Sequence, residues 1–155
     1  MYRSKFLKIV DSIRESLGYS LKNEDNSSTN EEILAMEIQY GDFLFSIVHS
    51  QVNNPEKILI ECNFGKNPES KKEEILLKLL TMNCMLAEVD GSSFSLTENS
   101  DEIIYTLACE IEQYDGISLL HKMTEIVWHG RRWLETRFIT SDEKTVNTEN
   151  LSILA

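Results

Sequence analysis

Three histidines, three cysteines and several adjoining carboxylates are the side chains of this 155-residue sequence with the means to hold a metal, move a proton or attack a substrate. Metal sites need ligands at short, repeated spacings. Cys62, Cys84 and Cys109 are widely spaced and odd in number, so they read as reduced, buried, small apolar residues. His49 ends a strand-like stretch, while His121 and His129 lie two helical turns apart, too far for an i,i+4 metal pair. No HExxH, GxSxG, P-loop or GxGxxG sequence occurs. The histidines are therefore expected to be surface or partly buried structural residues, with no metal, cofactor or catalytic role.

The carboxylates adjoin in Glu24-Asp25, Glu31-Glu32, Glu73-Glu74 and Asp101-Glu102. Neighbouring residues point to opposite faces of a strand and do not converge on a helix, so no acid/base pair is expected from them. They read as solvated faces and helix N-terminal charges. Arg131-Arg132 between Trp128 and Trp133 is the one basic-aromatic island. Stacking on nucleic acid is conceivable there, but Asp and Glu number 26 against 15 Lys and Arg, a net charge of −11 that opposes phosphate binding. A final helix that packs one tryptophan and keeps its arginines solvated or paired accounts for the island better. The acidity favours a basic or mainly apolar partner and disfavours an anionic membrane surface. Lys8, Asp11 and Arg14 break any apolar run at the N-terminus, so neither a signal peptide nor a membrane anchor is expected, and the chain reads as a soluble intracellular domain.

The elements that would position these groups follow from hydrophobic period. Residues 2–17 carry Tyr2, Phe6, Ile9, Val10, Ile13 and Leu17 at helical spacing, with Gly18 as the stop. A polar loop at 22–32 follows. Leu34, Met36, Ile38 and Tyr40 alternate as on a half-buried strand. Gly41-Asp42 turns the chain into a second strand, Phe43 to His49, and Asn53-Asn54-Pro55 into a third with Ile58, Ile60, Cys62 and Phe64 on one face. The spacing predicts a helix over 69–87, capped by Asn67-Pro68 or by a Ser70/Glu73 box. A short strand, Phe94 to Leu96, and a long one, Ile103 to Ile111, precede a last helix over about 117–136, with Leu120, Met123, Val127 and Leu134 inward and Gly130 between them. The order α-β-β-β-α-β-β-α, with helices segregated from an antiparallel sheet, is α+β. Residues 1–137 read as one domain and 138–155 as a polar tail.

Two features exceed what this architecture needs. The middle helix is apolar over much more than one face, and the second strand is apolar on both (Phe43, Phe45 and Ile47; Leu44 and Val48). A small chain leaves such surface for another chain.

The opening helix Phe6-Leu7-Lys8-Ile9-Val10 with Gly18, the run Glu74-Ile75-Leu76-Leu77-Lys78-Leu79-Leu80-Thr81-Met82-Asn83 leading through Leu86-Ala87 to Gly91 and Phe94-Ser95-Leu96, and the long strand with its C-terminal helix resemble the bacterial type III secretion chaperones of the Tir-chaperone family. The resemblance covers about residues 2–137. It implies a cytoplasmic homodimer without cofactors or catalysis, joined largely through the middle helix and the adjoining strand region. It also implies binding of a non-globular segment of a secreted effector, which adds strands to sheet edges and lays apolar residues into grooves near the first helix. On this sequence it points to Leu76, Leu77, Leu80 and Cys84 for the dimer face and to Leu7, Leu44, Val48 and Leu59 for the client groove. The competing reading is an acidic inhibitor or immunity protein that blocks a basic enzyme site, with steep salt dependence.

Overall fold

The computed structural model describes residues 1–19 and 32–139. Its elements are α1 (Tyr2–Ser16), β1 (Ile33–Tyr40), β2 (Phe43–Ser50), β3 (Lys57–Lys66), α2 (Lys72–Val89), β4 (Ser93–Leu96), β5 (Glu102–Glu110), a 3-10 turn (Ile111–Gln113) and α3 (Gly116–Thr136). The expected order and the α+β class are observed. The loop expected at 22–32, apart from Glu32, lies outside the described residues, as does 140–155.

Helix ends explain where the sequence reading holds and where it slips. At the end of α1, Gly18 takes φ +75, and the Gly18 and Tyr19 amides donate to the Glu15 and Arg14 carbonyls, the two bonds of a Schellman stop. At the start of α3, the Ser118 amide donates to Asp115 Oδ1 at 2.8 Å while the Asp115 amide donates back to Ser118 Oγ at 2.9 Å. The hydrogen bonds from the Ser118 amide and hydroxyl hold the Asp115 carboxyl below the usual carboxylate range. Neither expected cap starts α2. The Asn67 amide still donates to the Asp101 carbonyl at 2.8 Å, so the chain stays tied to the sheet past the third strand. It enters α2 through a left-handed Lys71 without a side-chain cap. Lys72 anchors the first turn on Asp101 at 2.6 Å, which holds its ammonium charge more tightly than usual.

All five strands form one antiparallel sheet in the order β1-β2-β3-β5-β4. The β1–β2 connection turns on Gly41, at φ +59. The inner face buries Met36, Ile38, Phe43, Phe45, Ile47, Ile58, Ile60, Cys62 and Phe64. Against it lie Phe6, Ile9, Val10 and Ile13 of α1 and the buried stripe of α3. That α3 stripe is Leu119, Met123, Ile126, Val127, Gly130 and Trp133, not the expected Leu120 and Leu134; Leu134 is exposed and Leu120 half-buried. The helix is turned because Trp133 is the larger anchor. It is fully buried, and its indole N–H donates to the Phe64 carbonyl at 3.1 Å. Gly130 is needed for close approach, since a Cβ there would stand 2.6 Å from Phe43 Cζ.

The last strand ends one residue sooner than expected. Ile111 heads the 3-10 turn, where its amide donates to the Glu56 carbonyl at 2.7 Å. Packed structure also runs past the expected boundary at 137. Phe138 stacks obliquely on Trp133 and Phe94 at 5.6 and 5.8 Å, and Ile139 packs beside the core.

Candidate functional site

Alternation gives the sheet a second face, and the buried stripes of α1 and α3 both lie on the first. The register lines up its outward residues in rows across four strands. Ala35 pairs Val48, Val48 pairs Leu59 and Leu59 pairs Ala108, an apolar row about 14 Å long for strands spaced near 4.8 Å. The next row is Glu37, Ser46, Glu61 and Thr106, and the one beyond it Gln39, Leu44, Asn63 and Ile104. Among the described residues neither Glu37 nor Glu61 has an ion-pair partner. Polar edges beside an apolar row suit an extended amphipathic partner.

Leu44, Val48 and Leu59 therefore share one face, with Leu44 at 43% exposure and the other two half-buried. Leu7 does not join them. It is an exposed residue of α1, and α1 lies on the opposite side of the sheet, where Phe6 stacks on His49 with ring centroids 5.2 Å apart. The four residues make two patches. Ala35, Ala108 and Ile104 complete the outer surface, and single alanines give no signal in a sequence until the register aligns them.

The other apolar surface is on α2. This helix buries only Ile75 and Leu79, while Leu77 and Leu80 are 67% and 63% exposed. Leu77, Leu80 and Cys84 follow at i, i+3 and i+7 and so form one stripe, with half-buried Leu76 at its margin. Beside it is an open, mostly apolar cavity of about 240 Å³ where Leu76, Leu79, Leu80, Leu96 and Ile103 meet, with Asn83 among its polar lining. Exposure of Cys84 corrects the expectation that all three cysteines are buried. Burial pushes the Cys62 thiol up to about 12 and raises Cys109 as well.

The residues with chemical means do not converge. His49 is buried, its Nε2–H donating to the Pro55 carbonyl at 2.9 Å. His129 is an exposed residue of α3 whose ring is partly desolvated by its neighbours, which lowers its pKa. Glu73 and Glu74 lie in the first turn of α2, as expected of helix N-terminal charges. Arg131 meets Asp42 at 3.6 Å and Trp128 is exposed while Trp133 is buried, as the basic-aromatic island suggested. Among the described residues no group of three His, Cys, Asp or Glu side chains is placed to hold a metal ion, and no helix is long and apolar enough to cross a membrane.

The fold is thus a five-stranded sheet with α1 and α3 on one side, a partly apolar second face and an apolar helix at the end that buries only Ile75 and Leu79. The model of the Tir chaperone protein (CesT) family matches residues 32–134, and the chain belongs to that family of chaperones. Solved structures share the fold at low identity. The ExsC–ExsE complex superposes with a TM-score of 0.65 at 14% identity, over 89% of this chain and 97% of the other. The HopA1–SchA chaperone–effector complex gives 0.58 at 17%, over 84% and 94%. The Yersinia pestis type III secretion chaperone SycH, solved with a stable fragment of YscM2, gives 0.53 at 13%, over 85% and 98%. No curated protein sequence matches the chain.

Proposed function

We propose that the protein is a type III secretion chaperone. It acts as a homodimer in the bacterial cytoplasm, holds a non-globular segment of an effector in a secretion-competent state and assists its delivery to the secretion apparatus. The observation that carries this reading is the bare sheet face with its row Ala35–Val48–Leu59–Ala108. An extended segment covers such a row without needing a folded shape of its own, and its backbone pairs with a free sheet edge. Ordering that segment costs conformational entropy, so affinity comes from a large wrapped surface. Leu7 on α1 forms a second patch for a client long enough to reach around the sheet.

The α2 stripe of Leu76, Leu77, Leu80 and Cys84 is the proposed dimer face. Its exposed leucines lie next to an apolar cavity, which gives a second copy both a surface and a place to insert side chains. The test is purification from the native host with a tag on this chain, followed by limited proteolysis. A co-purifying effector whose N-terminal segment becomes protease-resistant in the complex is the expected outcome. A folded basic enzyme released by moderate salt, with no effect of Leu44→Asp, refutes the chaperone reading in favour of an acidic inhibitor.

A further inference from the structure

The sheet has two edges, β1 and β4, and they differ chemically. In the β4–β5 pair the Thr97 amide donates to the Glu102 carbonyl at 3.0 Å. Alternation then turns the backbone of Ser95 and Ser93 toward β5 and that of Phe94 and Leu96 away from it, to the open edge. At Phe94 a side chain already occupies the place of a next strand. The Phe94 amide donates to Asn83 Oδ1 at 2.7 Å, and Asn83 Nδ2–H donates to the Phe94 carbonyl at 2.9 Å. A primary amide is the side chain whose paired donor and acceptor reproduce the pattern of a peptide group. On β1 the outward groups are those of Ile33, Ala35, Glu37 and Gln39. Among the described residues only the Gln39 carbonyl is met there, by the Tyr19 hydroxyl at 3.3 Å.

We infer that Asn83 is a plug that closes the β4 edge to backbone pairing. It acts as a positioning residue that decides how other chains approach the sheet. The inference rests on the proposed homodimer for its partner, a second copy of this chain. That copy meets the β4 end through side chains, with the α2 stripe and the neighbouring cavity in contact, and the two sheets do not join into one. Backbone pairing is thereby left to β1, four strand spacings or about 19 Å away. With α2 at the centre, the two β1 edges of the dimer face outward. A segment that engages both has to pass around the whole assembly.

The test needs only the full chain, by amide exchange resolved at single residues together with mass by light scattering. In the wild type the Phe94 amide exchanges slowly and the Leu96 amide, on the same edge without a plug, exchanges fast. Asn83→Leu removes both bonds and speeds Phe94 exchange about tenfold, while Asn83→Asp keeps the acceptor and with it most of the Phe94 protection. If Leu96 is as protected as Phe94 in the wild type, a partner backbone covers this edge and the plug is wrong; that measurement stands even where Asn83→Leu fails to fold. Unchanged Phe94 exchange in folded Asn83→Leu overturns it equally. A wild-type mass of one chain refutes the homodimer instead, and the Phe94 exchange in the two variants still judges the plug.

Discussion

Leu80→Glu tests the dimer most directly, because its effect on association separates from its effect on folding. Burying a whole leucine side chain contributes about 1.5–3 kcal/mol. Leu80 keeps 63% of its surface in the single chain, so covering the remainder contributes roughly 1–2 kcal/mol. Two-fold symmetry counts it twice, giving ~2–4 kcal/mol across the interface. At about 1.4 kcal/mol per tenfold, losing it weakens the dimer by roughly 30- to 1,000-fold. Two carboxylates brought together near the axis add repulsion to that figure. Folding is spared, because α2 is anchored by Ile75 and Leu79, both buried. Sedimentation equilibrium across micromolar concentrations reads the outcome, with far-UV dichroism to confirm an intact fold. The wild type should run at about 36 kDa, twice the chain mass of 17.9 kDa, and the variant near one chain. A wild-type mass of one chain at tens of micromolar, or a variant that dimerises unchanged, refutes the assignment of α2 to the interface.

Leu44→Asp puts a charge on the outer face and should weaken effector binding more than a moderate rise in salt does, without changing the dimer mass; a pull-down with the purified effector compares the two. Gly130→Ala forces a methyl group onto the Phe43 ring, and the overpacking cost of about 1–3 kcal/mol should outweigh the helix-propensity gain of about 1 kcal/mol. Urea unfolding measures the balance, and a more stable variant contradicts it. Native protein should offer a thiol reagent one fast site, Cys84, since burial raises the other two thiols. That site should react faster in Leu80→Glu, where the dimer no longer shields it, and equal rates place Cys84 outside the interface.

Strands were legible in this sequence because their period is short and their branched residues are plain. Met36 and Ile38, or Ile58, Ile60 and Cys62, alternate without ambiguity, and all of them are buried. Helix orientation was less legible. The run Leu119-Leu120 offers two apolar neighbours, and only the fit of Trp133 beneath the Phe64 carbonyl settles which one turns inward. The start of α2 was hidden for a similar reason. Asn67 has the chemistry of a cap, but a long-range bond to Asp101 holds it in the sheet. As for the surfaces, apolar excess in α2 and β2 pointed to elements that do leave leucines exposed, Leu77 and Leu80 on one and Leu44 on the other. The separation of Leu7 from Leu44, Val48 and Leu59 needed the third dimension. The pairing of Asn83 with Phe94 joins residues whose relation no local pattern discloses.

Strand β2 carries two interleaved messages. Phe43, Phe45, Ile47 and His49 answer to the interior, and any change among them is judged by packing. Leu44, Ser46, Val48 and Ser50 answer to whatever lies on the far side, and the interior does not register their identity. Selection can therefore rewrite one set while leaving the other untouched, residue by residue along the same stretch of backbone. A lineage built this way can exchange partners without renegotiating its fold.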